Sequence, residues 1–400
     1  MFVTGEIKEV FKKIEFASWI VGLDLPLTKR FPNNKKRKFF KLFNTLTLQM
    51  YFYVTCMSGV YHNTSNTVGL LFEIGLIGGI VTSASVCYYL EWYKDEYMKI
   101  FNWIAEFHQK NYTRNEELYG KAFKKSKNII KGINGVLITL NAMFVFGCVI
   151  QIIMVPIWNE NGKFNIQPPF PNHLPEIPVE GWTSFAINVI FQTWAETIQV
   201  VAHSLNFTIN PVIIIFVTVH MDILANYITR VSENIEFHAN NNIKFDAKHD
   251  IKQIIERHLE ITKYVDKLVQ LTGRTFFTLE INTFVYSFFN WMALASDDLA
   301  DNVQALGGIG GLSLLFYNCI ICDILDNANE KFIDKINDIP WYSLTPRDRG
   351  AMVLMILKLQ RPSEMQIHSI FGPKKVTFEN FANTLQSVYQ YCLVIEKVMA

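Results

Sequence analysis

Seven stretches of the sequence, near 42–60, 68–90, 133–156, 186–219, 272–295, 303–325 and 377–396, are each mostly apolar for at least the length of a membrane crossing. A hydrocarbon core about 30 Å thick needs roughly 20 helical residues at about 1.5 Å each, and a helix satisfies its own backbone hydrogen bonds where water is absent. With 50% hydrophobic, 14% aromatic and 18% charged residues, the chain suits a bilayer better than water, and a net charge of +1 gives no case for nucleic acid. The sequence therefore predicts an all-α membrane protein with seven transmembrane helices. The fourth stretch exceeds one crossing, and His203, Asn206 and Pro211 within it predict a kink or an extension beyond the membrane.

Basic residues set the orientation, because cytoplasmic flanks retain Lys and Arg. The amino-terminal segment holds 10, and the connections 91–132, 220–271 and 326–376 hold 9, 7 and 8. The alternate connections are nearly empty: none in 61–67, Lys163 alone in 157–185, and none in 296–302, which instead has Asp297, Asp298 and Asp301. This pattern places the amino terminus inside and, with seven spans, the carboxyl terminus outside, opposite to a G-protein-coupled receptor. The sequon at Asn63 falls in the first outer loop and is a candidate glycosylation site, while a second sequon, at Asn111, falls on the inner side. Residues 1–41 lack a secretory leader's compact apolar region, so the first span is expected to serve as its own insertion signal.

The connections differ in kind. Pro168, Pro169, Pro171, Pro175 and Pro178 make the third either an extended, ordered lid over the outer face or a plain linker. In 248–270, Ile251, Ile254, Ile255, His258, Ile261, Val265 and Leu268 recur at helical spacing, so helices are expected to continue below the membrane. All six cysteines lie in apolar segments and predict no disulfide framework. The Cys319/Cys322 pair has metal-like spacing without a second pair or a histidine cluster, so no metal and no cofactor are predicted. Gly307, Gly308, Gly310 and Gly311 lack the Lys-Ser/Thr of a phosphate loop and predict close helix packing. No nucleophile motif appears, and no catalytic residue or enzyme activity is expected.

The carboxyl-terminal eighty or so residues carry a family resemblance. Cys319 and Cys322-Asp323-Ile324-Leu325 are followed by Trp341, Arg347 and Arg349, then by Met355 to Arg361-Pro362, Phe371-Gly372 and Thr377-Phe378 before the last apolar helix. Together with His220 to Arg230 and the stretch from His258 to Phe289, these resemble the insect odorant receptors; the first half agrees only in topology. Two positions depart from the family pattern: Cys322-Asp323 stands where a Gly-Glu pair is usual, and Gln360 where Ser is frequent.

The resemblance implies a tetrameric odorant-gated cation channel in the plasma membrane of olfactory sensory neuron dendrites. The last helix would line the pore, the inner extensions would form a shared anchor, and a small volatile would bind in the outer half of the bundle. The fourth connection has only about fifty residues, without the long insertion of the family's co-receptor, so the chain resembles a tuning subunit whose partner is that co-receptor. The corresponding domains are 1–41, cytoplasmic; 42–325, helices one to six with the odorant-binding bundle; 326–376, cytoplasmic anchor; and 377–400, pore helix and external terminus. A gustatory-type channel and a membrane transporter are the alternatives.

Two residue sets follow. On the last span Asn380, Asn383, Ser387 and Gln390 form a polar stripe continuing into Val394 and Val398. Such a stripe faces water or protein rather than lipid, and either interhelical hydrogen bonding or a pore lining with a valine gate explains it. Glu396 and Lys397 beyond it either bias the entry of permeant cations or snorkel to the interface. Candidate pocket residues are Phe72, Gly75, Leu76, Phe144, Cys148, Trp194, Ile198, Phe288, Phe289 and Trp291, which would otherwise pack or contact membrane lipid. Glu73, Glu196 and Glu280 within spans should face protein or a wet cavity, and Glu280 is near Arg274 in sequence.

Overall fold

Long runs that mix apolar and charged positions without clustered breakers form correspondingly long helices. The computed structural model describes residues 5–23, 25–28, 35–62, 67–166, 168, 177, 179–241, 246–294, 299–359, 365–369 and 372–399. In chain order the helices are α1 (Gly5–Ile20), α2 (Lys35–His62), α3 (Thr67–Trp92), α4 (Lys94–Asn111), α5 (Glu116–Met154), α6 (Trp182–Asn240), α7 (Lys248–Leu294), α8 (Leu299–Asn337), α9 (Pro346–Leu359) and α10 (Phe378–Met399). Short 3-10 turns at Tyr112–Arg114 and Trp341–Ser343 join α4 to α5 and α8 to α9. A hairpin of β1 (Gln366–Ser369) and β2 (Gly372–Lys375), with Gln366 opposite Lys375, leads into α10 and packs on α7.

The seven apolar stretches fall on seven different helices: α2, α3, α5, α6, α7, α8 and α10. Four of these run well past a bilayer at the predicted inner side. α6 has 59 residues, roughly 90 Å of helix, three times the hydrocarbon thickness. The extension expected of the fourth stretch is thus present, and the helix continues through Pro211. The 248–270 segment is the start of α7, with Ile251, Ile254, His258, Ile261, Val265 and Leu268 all buried. α4 lies in the predicted inner connection and buries Tyr97, Ile100, Phe101, Ile104 and His108, again at helical spacing.

The largest apolar core among the described residues joins α1 and α3 to α9 around the carboxyl-terminal part of α6, including Val10 and Phe11 of α1, Phe101 of α4, Phe123 of α5, Phe216 of α6, Leu268 of α7 and Leu325 of α8. A smaller cluster unites Leu48, Phe52 and Cys56 of α2, Ile80 of α3, and Ala195 and Ile198 of α6. By contrast α2 presents Phe43, Leu46, Met50, Val54, Met57 and Tyr61 outward at three- and four-residue spacing. An exposed apolar stripe of this length would be a liability in water and fits a lipid contact. α6, buried by its neighbours, is the one helix among the described residues whose length and apolarity alone suffice for a crossing.

Both ends of the proline-rich connection pack onto the start of α6. Ile166 and Phe185 form a cluster with Ile157, Phe164, Val179 and Val189, and Asn188 Nδ2 donates to Ile177 O at 3.0 Å. Pro168 is buried; Pro169, Pro171, Pro175 and Pro178 lie outside the described residues.

Candidate functional site

α10 starts on a built cap. Thr377 Oγ1 accepts the Asn380 amide at 3.2 Å, Thr377 O accepts that of Phe381 at 3.1 Å, and the Asn380 side chain donates to Lys375 O. One narrow face then docks on the subunit: Thr384 and Val388 are buried, and Phe378 and Phe381 meet Phe316 of α8 at 5.2 and 5.3 Å. Of the predicted stripe, Asn383, Gln390 and Val394 are exposed on the surface left free, Val394 at 57%, and Ser387 is half-buried, its hydroxyl donating to Asn383 O at 2.8 Å. Asn380 is turned to the cap instead. The side chains of Val398, Glu396 and Lys397 lie outside those described.

The pocket candidates sit on neighbouring helices, since α3 packs on α6 and α7, and α5 on α6. Phe72, Gly75 and Leu76 follow the start of α3, Phe144 and Cys148 approach the end of α5, Trp194 and Ile198 lie in the first third of α6, and Phe288, Phe289 and Trp291 approach the end of α7. Alternating helix direction puts all four groups toward one end of the bundle. Trp194 is 51% exposed, whereas Ile198 is buried between α2 and α3; the other eight side chains lie outside those described, as do those of Glu73, Arg274 and Glu280, and the whole of Asn63.

Sequence reasoning missed a buried polar seam along α6. Asn188, Gln192, Gln199, His203, Asn206 and Asn210 are spaced by three, four or seven, so they share one face, and all except half-buried His203 are buried. Glu196, half-buried, falls on the same line. Gly79 of α3 gives the Gln199 amide room: a Cβ there would meet Nε2 at 2.7 Å. Asn210 Nδ2 donates to Asn206 Oδ1 at 3.1 Å, Gln49 Nε2 of α2 donates to Ser83 Oγ of α3 at 3.1 Å, and the Oε1 atoms of Gln49 and Gln199 have no hydrogen-bond partner among the described residues. The helical period of these polar residues was the available signal.

Below it lies an aromatic and histidine node. His220 of α6 stacks on Phe107 at 3.9 Å and meets Trp103 edge-on at 4.6 Å; Trp103 stacks on Tyr264 of α7 at 4.2 Å, and its Nε1 donates to Glu260 Oε1 at 2.9 Å. Burial lowers the pKa of His108 beside it. Cys319 and Cys322 are buried one turn apart in α8, and the glycine run 307–311 lies inside that helix, where its amides serve the helix rather than an anion. Among the described residues no group of three His, Cys, Asp or Glu side chains could hold a metal.

Residues 66–389 match the sequence profile described as 7tm Odorant receptor. The fold is similar to that of the insect olfactory receptor OR5 from Machilis hrabei, with 14% identity, 98% of each chain covered and a TM-score of 0.72. It is likewise similar to that receptor in complex with eugenol, with 12% identity, 98% of this chain and 97% of that one covered, and a TM-score of 0.74. No curated protein sequence matches the chain.

Proposed function

The chain belongs to the 7tm odorant receptor family, a family of membrane receptors and not of enzymes, and from that premise we propose that it is a tuning subunit of an odorant-gated, non-selective cation channel. The observation that carries this reading is α10. Among its described side chains only Thr384 and Val388 are buried, while Asn383, Gln390 and Val394 are exposed, an arrangement suited to a helix that faces a water-filled axis among several subunits. In this reading the amino terminus is cytoplasmic, the carboxyl terminus external, and the inner parts of α6, α7, α8 and α9 anchor a heterotetramer with a co-receptor.

The ligand is a small volatile held between α3, α5, α6 and α7 at their outer ends. The similar receptor from Machilis hrabei is described with eugenol, and the aromatic candidates Phe72, Phe144, Trp194, Phe288, Phe289 and Trp291 suit a flat, mostly apolar molecule of that kind. Binding need only favour the open state over the closed by a few kcal/mol summed over the liganded subunits. The cells are olfactory sensory neurons, with the channel in the dendritic plasma membrane.

Voltage-clamped cells expressing the chain with an insect co-receptor, challenged with aromatic and aliphatic volatiles, test the proposal. The expected result is a rapid odorant-evoked cation current with unitary steps that survives block of G-protein signalling. Silence across the panel with confirmed surface tetramers, or transport without unitary conductance, would overturn it.

A further inference from the structure

Where α2 and α3 meet the polar seam of α6, one hydrogen-bonding requirement is unmet. The Oε1 atoms of Gln49 and Gln199 are buried without a partner among the described residues, although both side chains are more than nine-tenths buried. Their neighbours in sequence, Leu48 and Ile198, belong to the apolar cluster with Phe52 and Ile80. An amide oxygen shut in apolar surroundings without a donor is destabilising, so two of them on adjacent helices call for an explanation.

Both amides rest on one face of α3. Gly79 and Ser83, one turn apart, share that face; Gln49 Nε2 donates to Ser83 Oγ at 3.1 Å, and a Cβ at Gly79 would meet Gln199 Nε2 at 2.7 Å. The Ser83 hydroxyl itself donates to Ile80 O at 2.9 Å, so its oxygen can only accept from Gln49. That contact fixes the Gln49 amide with its nitrogen toward Ser83 and its oxygen unbound. Hydroxyls on the adjoining turns supply no donor, since Thr45 donates to Val21 O at 3.2 Å and Thr82 to Gly78 O at 2.9 Å. The ring of His203, one turn beyond Gln199, bonds to the Gly79 backbone instead. The requirement is thus for a donor, not an acceptor. Ile198 is a candidate of the odorant pocket, and Gly75, another, stands one turn before Gly79 on the same face of α3, so the two oxygens adjoin that pocket.

We propose that Gln49 and Gln199 form a hydrogen-bond-accepting end of the odorant pocket that selects volatiles carrying a hydroxyl, alcohols and phenols, over ethers of the same shape. The hydroxyl hydrogen goes to one amide oxygen, and a diol engages both. An ether leaves both oxygens unpaired and sets its own lone pairs against them, which is what makes such a site discriminate. The inference rests on the proposed odorant-gated channel.

In the test, voltage-clamped cells expressing the full-length chain with an insect co-receptor are challenged with alcohols and phenols, each paired with its methyl ether and corrected for membrane partitioning. The pairs include benzyl alcohol, para-ethylphenol and hexanol. The hydroxyl members should be more potent than their ethers by about tenfold. Gln199→Met and Gln49→Met should each narrow that ratio, and the double variant should bring it to unity. A general structural defect would instead weaken both members together and preserve the ratio. Gly79→Ala displaces only the flexible end of Gln199; it should narrow the ratio too, and it decides the matter if the methionine variants do not reach the surface. Ethers as potent as their alcohols in the wild type, a ratio unmoved by the variants, or current from donor-free volatiles alone overturns the hydroxyl site and leaves the channel standing. No current from any volatile, with receptor confirmed at the surface, overturns the channel beneath it.

Discussion

Trp103 joins three helices with one side chain: its ring packs between Tyr264 of α7 and His220 of α6, and its indole N–H is bound by Glu260. Trp103→Phe keeps most of the ring contact and leaves Glu260 without that donor, so it should cost about 1–2 kcal/mol. Trp103→Ala should cost about 3–5 kcal/mol. Thermal melting of the purified receptor separates them, and equal losses would assign the whole effect to the hydrogen bond. His258, in the amino-terminal part of α7, stacks on Phe332 at 5.0 Å, nearly parallel, and its Nε2 lies 3.3 Å from Thr262 Oγ1. Burial, and secondarily the charge of Lys358, pull its pKa from an ordinary 6.5 down to about 4. Because the folded value is the lower one, the unfolded chain binds the extra proton. Stability is full above about pH 6.5 and is lost as pH falls from there toward 4, by about 3 kcal/mol at most. The melting temperature of wild type should therefore fall more steeply between pH 7 and 5 than that of His258→Phe, and parallel slopes would place the acid sensitivity in other groups.

Among the elements, α10 depends on how it begins. Thr377 Oγ1 caps the amide three residues on, so Thr377→Ala should cost about 1 kcal/mol locally and speed amide exchange over the first turn about fivefold, while Thr377→Ser should not. Unchanged exchange would mean that the hairpin, through the Asn380 to Lys375 contact, holds the turn alone. The long apolar helices were legible because length and apolarity are properties of a stretch by itself, and the amphipathic start of α7 was legible because Ile251 to Leu268 keep one period. The hairpin was not, since strands of four residues have no period of their own and exist through mutual pairing and contact with α7. The α6 seam escaped for another reason: Glu196, His203 and Asn206 read singly look like interruptions of an apolar span, and only their common face with Asn188, Gln192, Gln199 and Asn210 makes them one feature. Pocket membership depends on which helices become neighbours, which no local pattern specifies; Trp194 and Ile198, one turn apart, differ from half exposed to buried for that reason.

At the scale of the whole molecule, one subunit is an incomplete surface. Its core is continuous across α1 and α3 to α9, whereas among the described side chains of α10 only Thr384 and Val388 are buried, Phe378 and Phe381 meet Phe316, and Leu393 and Val394 are exposed. A rigid base with a thinly held helix is a distribution of stability in which the helix can change position without unfolding its support. In the proposed heterotetramer the last helices about the axis would bring Val394 beside the corresponding side chains of the partner subunits, and an apolar ring of that kind excludes water when narrow and admits it when slightly widened. On the proposed pore, Val394→Ala removes two methyl groups from the ring for each copy of this subunit. In cells with the co-receptor it should raise current in the absence of odorant, about tenfold in open probability for each 1.4 kcal/mol lost from the closed state, and shift odorant responses to lower concentration, because less ligand binding energy is then needed to reach the open state. Val394→Leu should do the opposite. Basal current and potency both unchanged in Val394→Ala at equal surface expression would move the gate off this stripe, since a ring that closes the pore cannot lose its side chains without altering the closed state.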